Sequence, residues 1–129
     1  MDELARTMSA AASGMRAQSA RLRLSSENIA NVDTPGYRRK LVSFEQVHAQ
    51  DDARAVRTGP VQLDQAKVER SYDPTHPLAG PDGYVEGSNV NLVVEIADAR
   101  EANRSYEANL RLFDQSRQMS SAVLDLLKR

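Results

Sequence analysis

The 129-residue chain has two histidines, His48 and His76, and neither has carboxylates near it at the spacing of a metal site. Asp51-Asp52, Asp73 and Asp82 offer paired carboxylates in principle. Each sits in loop or turn sequence, however, where aspartate accepts bonds from nearby backbone rather than serving as a general acid or base. There is no Gly-rich phosphate loop and no G-x-S-x-G elbow, so nucleotide binding and hydrolase chemistry lack their backbone devices. Cysteine is absent, which removes disulfides, thiolate metal ligands and thiol nucleophiles. No catalytic, cofactor-binding or metal-binding residue emerges, no cofactor is implied, and an enzyme is not expected.

Arg38-Arg39-Lys40 is a basic triplet beside Tyr37. Three charges neutralise few phosphates and no aromatic platform accompanies them, so we expect a solvated or intersubunit charge cluster and no nucleic-acid partner. Asn103-Arg104-Ser105 has the glycosylation pattern but falls inside an expected helix, where it carries no weight. The net formal charge of −1 is spread unevenly, yet no segment is strongly basic. Met1 to Ala20 contains Asp2, Glu3, Arg6 and Arg16 and no unbroken apolar run, so neither a secretory signal nor a membrane span is expected there.

The elements that carry these residues follow from the helix breakers. All five prolines and five of the six glycines fall between Pro35 and Gly87. From Leu4 to Ile29 a seam recurs at alternating steps of four and three: Leu4, Met8, Ala11, Met15, Gln18, Leu22, Ser25 and Ile29. Ala5, Ala10, Ala12, Ala17, Ser19, Ala20 and Ser26 add small side chains that would let a neighbouring helix approach closely, and Gly14 is a weak point costing roughly 1 kcal/mol in a helix interior. From Asn91 to Leu127, Ile96, Asn103, Leu110, Arg117 and Leu124 run beside Leu92, Ala99, Tyr106, Phe113, Ser120 and Leu127. The two helices would be about 40 Å and 55 Å long, longer than a domain of this size is wide.

Between them, Leu41 to His48 alternates roughly as a strand, Gln50 to Thr58 reads as a charged mobile loop, and Val61, Leu63 and Val68 suggest another short strand. The stretch from Ser71 to Gly87 is turn chemistry, with Asp82-Gly83 tolerant of positive φ, and Pro35-Gly36 suits the second and third positions of a type II turn. The expected fold is mainly α: N- and C-terminal amphipathic helices pair as an antiparallel coiled-coil-like hairpin, with a small irregular or β lobe between them. Residues 1–34 form the first helix, 35–90 the turn, loop and lobe, and 91–129 the second helix. Gln18, Asn103 and Arg117 would set register and mark contacts between subunits.

Two interrupted seams bury too little to offset roughly 1 to 2 kcal/mol of backbone ordering per residue, so partner helices from other chains are expected. Periodicity alone leaves open a small helical hairpin, soluble by itself, whose stripes are core and whose polar gaps are solvated.

The run from Glu27 to Lys40, ENIANVDTPGYRRK, resembles the turn segment that follows the N-terminal helix of the flagellar rod and hook family. Ser88 to Met119 is similar to that family's C-terminal helix, with Asn89, Asn91, Glu95, Arg104, Ser105, Tyr106 and Asn109 in the family's pattern. The Tyr72 to Val85 stretch and the short length are most similar to its proximal rod members. The resemblance implies a structural subunit of the rod of the flagellar basal body, crossing the periplasm, transmitting torque and surrounding an export channel. It also implies export by the flagellar type III apparatus without a cleaved signal.

The implied partners are copies of the same chain and other rod proteins, with the inner-membrane ring and the export gate as further contacts. The turn motif is Asn31, Thr34, Pro35, Gly36 and Tyr37. The expected assembly interface is Leu4, Met8, Met15, Leu22, Ile29, Ile96, Tyr106, Asn109, Leu110, Phe113, Leu124 and Leu127. Two alternatives remain: another proximal rod or rod-adaptor component of that family, and a stand-alone coiled-coil adaptor.

Overall fold

The computed structural model describes residues 2–47 and 55–129. Helix α1 runs over Asp2–Ala30 and helix α2 over Leu92–Leu127. Among the described residues, six short strands lie between them: β1 (Lys40–Leu41), β2 (Phe44–Gln46), β3 (Val56–Thr58), β4 (Gln62–Leu63), β5 (Arg70–Tyr72) and β6 (Tyr84–Glu86). Asp2 and Glu3 place negative charge in the first turn of α1, where the helix dipole favours it. Asn91 caps α2, its side-chain oxygen accepting from the N–H groups of Val93 and Val94 at 3.1 and 3.3 Å.

The helices are antiparallel. Asn28 of α1 meets Glu95 of α2, Arg21 meets Asp98 and Glu101, and Gly14 meets Asn109, so residue numbers fall on α2 as they rise on α1. Carried on at that spacing, Asp2 comes level with about Ser121. The last turns of α2 therefore project past the described part of α1, and every residue from Ser121 onward is exposed.

The seam between the helices follows the expected stripes in part: on α1 it keeps Ala11 and Ser25, and on α2 Ala99, Phe113 and Ser120 are half-buried, while the first expected α2 column is replaced by residues one position N-terminal to it. On α2 the buried residues are Glu95, Ala102 and Ser116, with half-buried Asn109 completing a seven-residue repeat. The stripe of Ile96, Asn103, Leu110, Arg117 and Leu124 is displaced to the exposed flank. On α1, Ala17, Leu24 and Asn28 are buried while Met8, Met15, Leu22 and Ile29 are only half-buried; Ala11 and Ser25, both in the expected seam, are buried too. Small residues on α1 leave room in the seam for side chains of α2. A methyl group added to Gly14 would lie 2.8 Å from the Asn109 side-chain nitrogen. Gly14 is thus a point of close approach as well as a gap in helix propensity.

The strands pair as three antiparallel ribbons: β1 with β4, β2 with β3, and β5 with β6. The Leu41–His48 strand is broken into β1 and β2 by Val42 and Ser43, and His48 lies outside the described residues, as do Asp51 and Asp52. Val56–Thr58, read as loop, is strand β3, because alternating Val56, Arg57 and Thr58 pair with Gln46, Glu45 and Phe44. Only Gln62–Leu63 of the second expected strand forms, and Val68 lies outside it. The turn-rich stretch is bracketed by β5 and β6, whose Tyr72 and Tyr84 meet edge to face at 5.3 Å.

The β2–β3 ribbon is fastened to α1 where the Val56 N–H donates to Ser13 Oγ at 3.1 Å. Among the described residues the buried apolar set is Ala11, Ala17, Leu24, Val85, Val90 and Ala102, of which three are alanines. With one buried leucine, worth about 1.5 to 3 kcal/mol, the hairpin has little core of its own.

Leucine is a far better helix former than glycine, yet Gly14→Leu should lower the unfolding free energy of the chain by about 1 to 3 kcal/mol by displacing the Asn109 amide and overfilling the seam. Urea denaturation checks this, and equal or greater stability would contradict the close approach.

Candidate functional site

The turn motif closes α1 and aims the chain at α2. Asn31 Nδ2 donates back to the Glu27 carbonyl at 2.7 Å, and Thr34 Oγ1 donates to Asn31 Oδ1 at 3.1 Å. Gly36 takes φ +74°, and the Tyr37 N–H donates to the Thr34 carbonyl at 3.1 Å, the bond of a tight turn across Pro35-Gly36. The Gly36 N–H reaches the carbonyls of Glu86 and Gly87, so the turn also ties down the end of β6. Ser88 Oγ donates to the Val32 carbonyl, and the Asn89 N–H to that of Tyr37 at 3.3 Å. The lobe is thereby locked to the exit of α1.

Beneath the turn lies a polar network that includes fully buried side chains. Asn28 pairs with the backbone of Lys40 as a neighbouring strand would: its Oδ1 accepts from the Lys40 N–H at 2.9 Å and its Nδ2 donates to the Lys40 carbonyl at 3.0 Å. The same amide accepts from the Tyr37 hydroxyl at 2.8 Å and donates to Glu95 Oε1 at 3.2 Å. Arg39 Nε donates to Glu95 Oε1, and its Nη2 to Asp98 Oδ2 at 2.7 Å. Arg21 reaches the other Asp98 oxygen at 3.4 Å. The Arg39 N–H is held by Asn89 Oδ1 at 2.6 Å, while Asn89 Nδ2 donates to the carbonyls of Asp64 and Ala66.

Glu95 has no exposure, and its Oε2 has no hydrogen-bond donor among the described residues. Burial pushes the Tyr37 phenol above its ordinary value; the Lys40 charge opposes this, and Glu27 and Glu95 add to it. Tyr37 thus remains a donor to Asn28. A cavity of about 370 Å³ opens beside the network between Leu24, Arg39, Phe44 and Glu95.

The basic triplet is therefore consumed within the chain rather than left as a solvated or intersubunit cluster. Arg38 donates to the Asp64 and Ala66 carbonyls, Arg39 pairs with Glu95 and Asp98, and Lys40 pairs with Glu27 at 3.1 Å. Sequence reasoning missed Asn28, Arg39 and Asp98. The signal was a carboxylate at Glu95 inside the apolar opening of α2, Leu92-Val93-Val94-Glu95-Ile96, which a buried position obliges to find a cation.

Of the expected interface residues, Asn109 and Phe113 lie at or beside the seam, and Leu4, Met8, Met15, Leu22 and Ile29 are half-buried on α1. Ile96, Tyr106, Leu110, Leu124 and Leu127 are exposed, as are Leu112, Met119 and Leu126 on the other flank of α2 and Val123 where the seam repeat continues past Ser116. Gln18 lies near the seam with its Oε1 buried and unbonded among the described residues; Asn103 and Arg117 face solvent, Arg117 pairing with Asp114 at 3.7 Å. Asp73 and Asp82 do turn work, accepting from Thr75 and from Arg70 and the Tyr84 N–H, and His76 Nδ1 accepts from the Leu78 N–H. Arg70 holds the Asp82 carboxyl below the usual carboxylate range. No described helix is long and apolar enough to cross a membrane.

Residues 8–38 match the family described as flagella basal body rod protein, and residues 82–126 match the C-terminal region of the flagellar basal body rod FlgEFG proteins. The chain is 43% identical to the flagellar basal-body rod protein FlgC of Agrobacterium fabrum, over 99% of this chain and 98% of the relative. It is 35% identical to FlgC of Salmonella typhimurium over 90% of this chain and 92% of that one. With FlgC of Borreliella burgdorferi the identity is 31%, over 95% and 96%.

Arg39→Met should destabilise the chain by about 3 to 5 kcal/mol, because it leaves the Glu95 carboxylate buried without its cation. Adding Glu95→Leu should recover much of that loss. Chemical denaturation of both variants is the check, and a single variant as stable as the parent would remove the network from its central place.

Proposed function

The chain belongs to the flagellar basal-body rod family, in its FlgC-type branch, as a structural subunit and not an enzyme; on that premise we propose that the apolar faces left open by α1 and α2 are the surfaces that pack against other rod subunits. The observation that carries this reading is the division of labour on α2. Its small and polar residues, Glu95, Ala102, Asn109 and Ser116, meet α1, while Leu92, Ile96, Leu110 and Leu124 keep 40% to 45% of their surface in solvent. A series of large apolar side chains repeated along one long helix is costly to leave in water, and neighbouring helices would cover it.

In this reading the paired helices form a coiled-coil-like layer of a tubular rod around an export channel, and the lobe faces outward between neighbours. Copies of the chain and related rod proteins are the partners, with the inner-membrane ring and export gate at the proximal end. Torque is carried across these side-by-side contacts. Export through the flagellar type III apparatus belongs to the same reading, and a hairpin with so small a core would be easily unfolded for passage.

Leu110→Glu with Leu124→Glu replaces two leucines that keep 40% and 45% of their surface in solvent by a residue of similar helix propensity, so the monomer's unfolding free energy should fall by no more than about 1.5 kcal/mol per site. Cells relying on this variant should lack rods and not swim. Normal swimming would show that these faces are not assembly contacts.

A further inference from the structure

The two ends of the hairpin carry complementary chemistry. At the lobe end, two adjoining grooves share Pro35, Arg70, Val85 and Glu86. One, of about 650 Å³, is apolar and aromatic, with Leu78, Pro81 and Tyr84 in its wall; Leu78 keeps 64% of its surface exposed. The other is acidic, carrying Asp33, Glu69, Asp73 and Glu86. None of these four carboxylates has an ion pair among the described residues, and Arg70, the cation between them, is engaged by Asp82 at 2.7 Å and lies over the Tyr84 ring. At the opposite end, the projecting part of α2 presents Leu126 and Leu127, 69% and 74% exposed, followed by Lys128 and Arg129, which have no ion pair among the described residues either.

We propose that this lobe groove receives the Leu126 to Arg129 end of α2 from a second copy of the chain, leucines against Leu78 and Pro81 and the two cations against Glu69 and Glu86. The argument is the match of both apolar and charged halves within one sequence. Because the two surfaces lie at opposite ends of α2, about 50 Å apart, one molecule cannot satisfy itself, and the contact is head to tail. A head-to-tail contact between different surfaces does not close on itself as a two-fold pair does, and so adds copies along a line or helix. This inference rests on the rod-subunit reading and specifies how one copy follows the next.

The chain has no cysteine, so Leu78→Cys with Leu127→Cys in one chain gives a clean cross-linking pair that cannot close internally. Mild oxidation of basal bodies containing this variant should give a ladder of multiples of the chain mass, with the linked peptide joining positions 78 and 127. Adding Lys128→Glu with Arg129→Glu should cut the ladder about tenfold, and adding Glu69→Lys with Glu86→Lys as well should restore it. Assembled rods that give no such ladder, or a ladder indifferent to the charge reversals, would overturn the head-to-tail contact while leaving the rod-subunit reading intact. Absence of the double-cysteine chain and its parent from basal bodies would defeat the rod-subunit reading and this inference together.

Discussion

A carboxylate sealed from water must be met by donors, and the fold of this chain is organised around that requirement at Glu95. Its charge is answered by Arg39 from the segment leaving the turn and by Asn28 from the end of α1. One network therefore ties the continuous run from the exit of α1 through the turn to strand β1 to the entrance of α2, more than fifty residues further on. Apolar burial could not do this as specifically, since leucines tolerate several registers and an amide and a guanidinium converging on one carboxylate oxygen tolerate few. The cost is that removal of one member leaves the others buried and unpaired.

Away from this junction the seam becomes thin. Ala11, Gly14, Ala17 and Ala102 allow close approach but bury little area, and the larger side chains stand on the flanks. The isolated hairpin is accordingly held at one end and weakly zipped along the rest. For a subunit of an assembly this is a useful distribution: the orientation of the lobe to the helices is fixed in the single chain, while most apolar area is reserved for neighbours.

Much of this architecture was legible in the sequence. The distribution of Pro and Gly separated the two helices from the middle, and Pro35-Gly36 specified a turn that Gly36 completes at φ +74°. On α2 the stripe is marked by its large residues, which is why one of its two columns, Ile96 to Leu124, falls one residue off the seam. Periodicity analysis follows leucine and isoleucine, whereas here alanine, glycine and a buried glutamate occupy the contact. The triplet at Arg38 to Lys40 was misjudged for a related reason, because a charge looks solvated until the carboxylate 56 residues further on is known to be buried beside it. Strand β2 falls within the expected Leu41–His48 strand, whereas β3, β5 and β6 are obscured by their length, since three residues give too little alternation to stand out from charged loop or turn sequence.

If the junction carries the stability of the single chain and the flanks await partners, local opening should be graded along both helices. Amide hydrogen exchange of the dilute monomer, read residue by residue and compared with assembled rods, tests this directly. The account predicts slow exchange from Leu24 to Ala30 and from Leu92 to Ala102, progressively faster exchange toward Asp2 and toward Leu127, and protection of both helices over their whole length in the rod. Uniformly slow exchange along α1 and α2 in the monomer would contradict it.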